Sequence, residues 1–176
     1  MLFWHVGATI AFIRYAFRDE AMDLRFLAFG AVLPDVIDTP IGFSFWPAFA
    51  SVRLASHSLL FGTLIMVVVV AATRRGRPRK RWMLVAVGVL IHLVLDGMWR
   101  TPTTLWWPFL GWGFAATSFE TVAGYLSWLL TDVRTWALEA LGLAYLVALA
   151  RRSDLSDPTN RHALFTSGRV SAPIGR

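Results

Sequence analysis

The chain has 176 residues, of which 56% are hydrophobic and 16% charged, with nine Trp and no Cys. A soluble domain carries roughly 45–50% apolar and roughly 25% charged residues, so the composition excludes a disordered chain and argues against a soluble enzyme or a nucleic-acid module. The excess of basic over acidic residues, 17 against 11, fits the cytoplasmic loops of a membrane protein, where Lys and Arg collect. The lack of Cys excludes disulfides and thiolate metal sites.

Residues 2–17 form an apolar run with Arg14 near its end. No basic segment precedes it and no small-residue cleavage site follows cleanly, so it reads as a retained helix rather than a signal peptide. Residues 24–34 are too short to cross a bilayer alone. They are predicted as a half-helix packed against protein, with its boundary at Pro34. Residues 58–73, 82–99 and 136–150 approach the roughly 20 apolar residues of a span. Between the first two of these lies RRGRPRKR (74–81), six basic residues in eight, which reads as a cytoplasmic hairpin. Residues 114–135 are predicted to hold an interfacial helix, marked by Glu120 and Asp132. Trp46, Trp99, Trp106, Trp107 and Trp112 are expected in an aromatic belt at the outer interface.

Arg14, Arg18, Arg25, Arg151 and Arg152 agree with the hairpin in marking the inner side. The expectation is an all-α integral membrane bundle with about five crossings, N-terminus outside and C-terminus cytoplasmic. Residues 1–152 would form one membrane-embedded domain. Residues 153–176, polar and containing Pro158, Pro173 and Gly175, are predicted to be an unstructured cytoplasmic tail.

This topology gathers the rare ionisable groups. His5, Asp35, Asp38, His57, His92 and Asp96 come from four chain segments and all fall at the outer side; His162 alone among the histidines lies elsewhere. Ionisable residues in membrane helices cost at least about 2.5–3.5 kcal/mol on insertion scales and are rarely idle. His92 and Asp96 are spaced i, i+4 and share a helix face, and Asp35 and Asp38 do the same at i, i+3 if their turn is helical. Three His and three Asp offer N and O ligands suited to one or more divalent ions, Zn²⁺ or similar. Taken singly, Asp35 reads equally as a helix cap, His57 as part of an N-cap, and the His–Asp pair as a proton relay. Their common placement favours a metal.

The order of motifs is an early His, LPDVID (33–38), RLASHSLL (53–60), HLVLD (92–96) and TPTTLWWPF (101–109). It resembles the YdjM-like membrane-bound metal-dependent hydrolases, also described as LexA-binding, inner-membrane-associated hydrolases, over most of residues 1–110. That family looks related to zinc-dependent phospholipase C, which implies phosphoester hydrolysis at a His/Asp metal site on an all-α fold. By this resemblance His5 matches the N-terminal His, Asp35 and Asp38 the PDxD motif, Arg53 and His57 the HRxxTHS motif, and His92 and Asp96 the HxxxD motif. The chain departs at Val52, where the family has a His, and at Ser56, where it has a Thr, which implies a smaller site or fewer ions if that His is a ligand.

The expected activity is therefore hydrolysis of a lipid-phosphate type of phosphoester at the outer leaflet of the inner membrane. A metal-bound water would be the nucleophile. Asp38 or Asp35 would accept its proton, and Arg53 would bind an anionic oxygen. The rival readings are a proton or metal-ion transporter using the same cluster, and a non-catalytic membrane scaffold with a structural metal. Glu139, in the middle of the last apolar run, is the one feature the hydrolase reading does not explain; the alternatives for it are a hydrogen bond to a neighbouring helix or a place facing the site from below. The lipid bilayer is the expected partner, and nucleic acid is not.

Overall fold

The computed structural model describes residues 1–19 and 21–172, and among these the chain is all-α. Its helices are α1 (Leu2–Phe17), α2 (Leu24–Ser44), α3 (Trp46–Phe49), α4 (Leu59–Ala72), α5 (Arg77–Leu95), α6 (Pro102–Leu105), α7 (Val122–Thr131), α8 (Val133–Arg152) and α9 (Pro158–Ser167). Both α2 and α8 are long and apolar enough to cross a membrane, and α1, α4 and α7 are shorter apolar helices. The 14 residues of α4 rise about 21 Å at 1.5 Å per residue, against a hydrocarbon core of about 30 Å. The helix expected within 114–135 occupies Val122–Thr131.

The predicted stop at Pro34 does not occur. Helix α2 runs through Pro34 and Pro40 for 21 residues, so Asp35 and Asp38 lie on a full helix and not beyond the end of a half-helix. An interior proline removes one backbone donor and crowds the carbonyl four residues back. Side chains of other segments bond to two nearby α2 carbonyls, neither of them the Gly30 carbonyl whose donor Pro34 lacks. His92 Nδ1 donates to the Ala31 carbonyl at 2.7 Å and Ser56 Oγ to the Pro34 carbonyl at 3.0 Å.

Two close crossings set the bundle. A Cβ on Gly30 would lie 2.2 Å from the Val85 carbonyl oxygen, and one on Gly88 2.6 Å from that of Leu27. Thus α2 and α5 meet backbone to backbone. Gly7 and Gly142 make the same approach between α1 and α8, where a Cβ on Gly7 would lie 2.5 Å from the Gly142 oxygen. Small residues are what allow helices in lipid, with no hydrophobic force between them, to gain packing and hydrogen bonds. Ile10, Ile13, Leu24 and Leu27 form an apolar core toward one end, packed against Tyr145, Leu146 and Leu149 of α8. The polar cluster occupies the other end.

The region after Arg152 differs from the expected unstructured tail. Residues 153–172 carry α9 and fold back on the bundle; residues 173–176 of that tail lie outside the described residues. Asp157 caps α9, with Pro158 in its first turn and Gly168 ending it at a left-handed φ of 70°, the usual chemistry of helix ends. Leu24 N–H donates to the Gly168 carbonyl at 2.9 Å, Arg25 to those of Phe165 and Thr166, and buried Arg14 to that of Ala172 at 2.7 Å. Asp23 closes this end by accepting from Arg25 and Arg81. Burial pushes the Asp23 carboxyl up, but the bonds from the two arginines outweigh that and hold it below the usual carboxylate range.

Candidate metal centre

The site is assembled from the start of α1, the second half of α2, the turn before α4 and the end of α5. His5 lies in the first turns of α1, and Asp35 and Asp38 stand one turn apart on α2. His57 ends a short 3₁₀ turn, Ala55–His57, just before Ser58, whose side chain caps α4 by accepting from Phe61 N–H. His92 is in the last turn of α5 and Asp96 is its C-cap. His5, His57 and His92 are 0–1% exposed.

Each imidazole is oriented through Nδ1. His92 Nδ1 donates to the Ala31 carbonyl at 2.7 Å, His57 Nδ1 to Asp38 Oδ2 at 2.7 Å, and His5 Nδ1 to the Met1 carbonyl. A backbone carbonyl only accepts, so Nδ1 of His5 and of His92 carries a proton, and Nε2 is the ring nitrogen that each turns to the site. The three Nε2 atoms turn to a common region. His57 Nε2 and His92 Nε2 are 3.2 Å apart, and His5 Nε2 is 3.0 Å from Asp96 Oδ1. Asp35 Oδ1 lies 3.4 Å from His57 Nε2 and 3.7 Å from His92 Nε2, and Asp96 Oδ2 3.7 Å from His57 Nε2. Two ligand groups result, His5–His92–Asp96 and Asp35–His57–His92, sharing His92.

This arrangement fits a divalent cation. Imidazole nitrogens and carboxylate oxygens are the donor types such an ion takes, and they converge here with Arg53 2.7 Å from Asp96 and the Met1 amino group 3.6 Å from Asp35 at the rim. The Nδ1 tethers to carbonyl and carboxylate are the outer-shell pattern that fixes metal-binding histidines.

Five of the six expected ligands are thus brought together. Asp38 is placed otherwise. Its oxygens accept from the backbone N–H groups of Leu54 at 2.7 Å, Ser56 at 3.3 Å and His57 at 3.2 Å, in addition to His57 Nδ1. It is 2% exposed, and its lone pairs are spent on holding the 53–57 turn against α2. It stands behind His57, one step from the convergence, and is not open to take a proton there. Asp35 is partly buried at 33% exposure, with the Met1 amino group 3.6 Å from its Oδ2, and it lies in an open surface groove of about 320 Å³ lined also by Leu2, Val32, Val36, Thr39 and Pro40.

Arg53 reaches the site. Its Nε donates to Asp96 Oδ2 at 2.7 Å, while the side chain is 40% exposed. Its guanidinium therefore spans from the buried carboxylate to the surface. Val52, where the resembled family has a His, is a buried apolar residue, and Ser56 holds the turn to the Pro34 carbonyl.

Residues 113–121 and Tyr125 of α7 pack on the α2–α3 corner. Thr117 N–H donates to the Ala50 carbonyl at 2.8 Å and Trp46 Nε1 to that of Glu120 at 3.1 Å. Trp46 is buried against Phe43 and Tyr125 rather than exposed in a belt. Trp99, Trp106 and Trp112 are exposed, and Trp107 packs on Trp112 and Phe114. Two contributors had little signal in the sequence. Tyr125 sits in an ordinary aromatic-rich stretch. Glu139 was visible as a lone mid-span acid, but its partner, the Phe3 N–H at 2.7 Å, is 136 residues away.

A helical membrane protein with a buried His/Asp cluster that could hold a metal ion is the class these features define. The chain belongs to the YdjM inner membrane protein family, whose sequence model matches residues 3–155, and its location is the inner membrane. No curated protein and no solved structure matches it.

Proposed function

We propose that the protein is a metal-dependent hydrolase acting on a lipid-phosphate type of phosphoester at the outer leaflet. The observation that carries this is the convergence of three Nε2 atoms and two carboxylates, with every Nδ1 tied back to an acceptor. The closest donor pairs are 3.0–3.7 Å apart. Donors sharing one ion at about 2.0–2.2 Å stand about 3–3.6 Å apart, so the spacing favours a single Zn²⁺ or similar ion. Such an ion supplies activation of water near neutral pH and neutralises phosphoryl charge.

The chain's own groups divide the remaining work. Asp35 has one oxygen toward His57 and His92 and is the carboxylate open to the groove, so it is the group placed to take a proton. Arg53 is anchored by Asp96 through Nε and presents its outer nitrogens to an anionic oxygen. Asp38 positions His57. The groove at Asp35 has apolar walls, and its Leu2 and Val36 are exposed, which suits a substrate that keeps its chains in the bilayer. The inner-side placement of residues 74–81 and the five crossings belong to the same proposal.

The test is metal content of natively extracted protein, paired with phosphate release from lipid phosphoesters in detergent. Stoichiometric zinc and hydrolysis that both vanish in His92→Ala are expected. Metal without hydrolysis of any lipid tested would move the reading to a scaffold. The chain has no native Cys, so topology is read directly. An introduced Arg75→Cys should be shielded from an impermeant thiol reagent added outside, and Thr103→Cys should react; the opposite pattern would move the site to the inner side.

A further inference from the structure

We propose that Glu139 is a positioning residue of the metal centre: from α8 it caps the first turn of α1, and through that turn it fixes the imidazole of His5. The inference rests on the metal reading for its purpose and on independent contacts for its geometry.

A lone acid inside an apolar helix is costly in a membrane and needs a partner. Glu139, with its side chain 15% exposed, has one on another helix. Its Oε2 accepts from the Phe3 N–H at 2.7 Å, and its Oε1 lies 3.9 Å from the Met1 amino group in the same turn. The first N–H groups of any helix lack partners within the helix, and α1 provides none itself: it has no side-chain cap and no acid in its first turn. Glu139 therefore acts as a cap supplied across the α1–α8 interface, and its negative charge also complements the positive end of the helix.

The capped turn is the one that orients His5. The carbonyl of Met1 in this turn accepts from His5 Nδ1, which leaves Nε2 3.0 Å from Asp96 Oδ1 and the ring stacked on His92 at 4.1 Å between centroids. The other two imidazoles lean on α2, through the Ala31 carbonyl and Asp38. His5 alone leans on a helix end. Gly142, three residues after Glu139, keeps the two helices in register at this level, since a Cβ there would lie 2.2 Å from the Phe3 carbonyl oxygen. The glutamate, the capped turn and His5 are thus linked through contacts of a single helical turn.

The experiment titrates detergent-solubilised full-length protein with cobalt, followed by zinc competition, for wild type, Glu139→Gln, Glu139→Leu, His5→Ala and the double variant His5→Ala with Glu139→Leu. Gln keeps an acceptor for Phe3 and should bind within about twofold of wild type, whereas Leu should weaken binding about tenfold, the low end for loss of an outer-shell partner. In the His5→Ala background Glu139→Leu should cost nothing more, because residues acting through one another are not additive. Hydrogen exchange of the first turn of α1 in metal-free protein should rise in Glu139→Leu and not in Glu139→Gln. Wild-type affinity in Glu139→Leu, or an equal loss with and without His5, overturns the proposal. A wild-type protein that binds neither ion sinks the metal reading instead; unchanged exchange in Glu139→Leu then overturns the cap as well.

Discussion

The two ends of the bundle both bury charged and polar side chains, and they do so in opposite ways. At the end closed by α9, every buried charge meets its complement. Arg14 and Arg25 donate to carbonyls of the returning chain, and Asp23 accepts from Arg25 and Arg81. At the other end ring nitrogens and carboxylates crowd together: His57 Nε2 and His92 Nε2 approach to 3.2 Å beside Asp35 and Asp96, whose outer sides meet the Met1 amino group and Arg53. Burial of polar groups is the same expense at both ends. Satisfied pairs make the first end a clasp, and the second gathers ligand types that could hold a cation.

The difference is broken most severely at His92, which both ligand groups share. His92→Ala should lower metal affinity and hydrolysis by more than about a hundredfold, well beyond the outer-shell range of about 10–100-fold. Thermal stability of the metal-free protein should fall far less, since the change also removes a desolvated polar group. Metal titration and melting of the same sample separate the two effects. Asp38→Ala comes next. It should reduce metal affinity by about 10–100-fold while leaving the ion count unchanged at saturating metal, because Asp38 holds His57 and the 53–57 turn without facing the ion. A loss of stoichiometry in that variant would return Asp38 to the ligand set.

The division of labour between Asp35 and Asp38 shows where the sequence stops being informative. Both are visible as a spaced pair before a His-containing motif, and the helical turn that joins them is correctly implied by i, i+3. Which of them faces the site depends on the 53–57 turn offering three backbone N–H groups to Asp38, a tertiary fact with no residue signature. The course of α2 past Pro34 is hidden because a proline reads locally as a helix boundary, whereas the packing of α2 on α5 that holds it in place is tertiary. The fate of residues 153–172 was more legible. Asp157–Pro158 and Gly168 delimit a helix by ordinary capping rules, and polarity alone masked them. The convergence of His5, His57, His92, Asp35 and Asp96 needed only rough span positions, since antiparallel neighbours bring their ends together whatever their exact limits.

The clasp should respond in the reverse sense. Arg25→Ala removes donors to Asp23 and to two carbonyls, and should cost about 1–3 kcal/mol of stability, read as a lower melting temperature with metal affinity unchanged. The smallest effect is on pH. The Asp23 carboxyl is held below its ordinary value of 3.8, so the stability it contributes is fully present above that value and is lost as pH falls through the lowered one. The difference in melting temperature between wild type and Asp23→Asn should therefore be constant from neutral pH down to about 4 and shrink below it. A difference that grows on acidification would mean that Asp23 is not held by Arg25 and Arg81.

Metal content of natively extracted, detergent-purified protein tests the central claim most directly. The five convergent donors predict close to one zinc ion, or one ion of similar chemistry, per chain, lost in His92→Ala and retained in Arg25→Ala. A wild-type protein that is metal-free after native extraction, and that takes up no zinc or cobalt when offered, would contradict it.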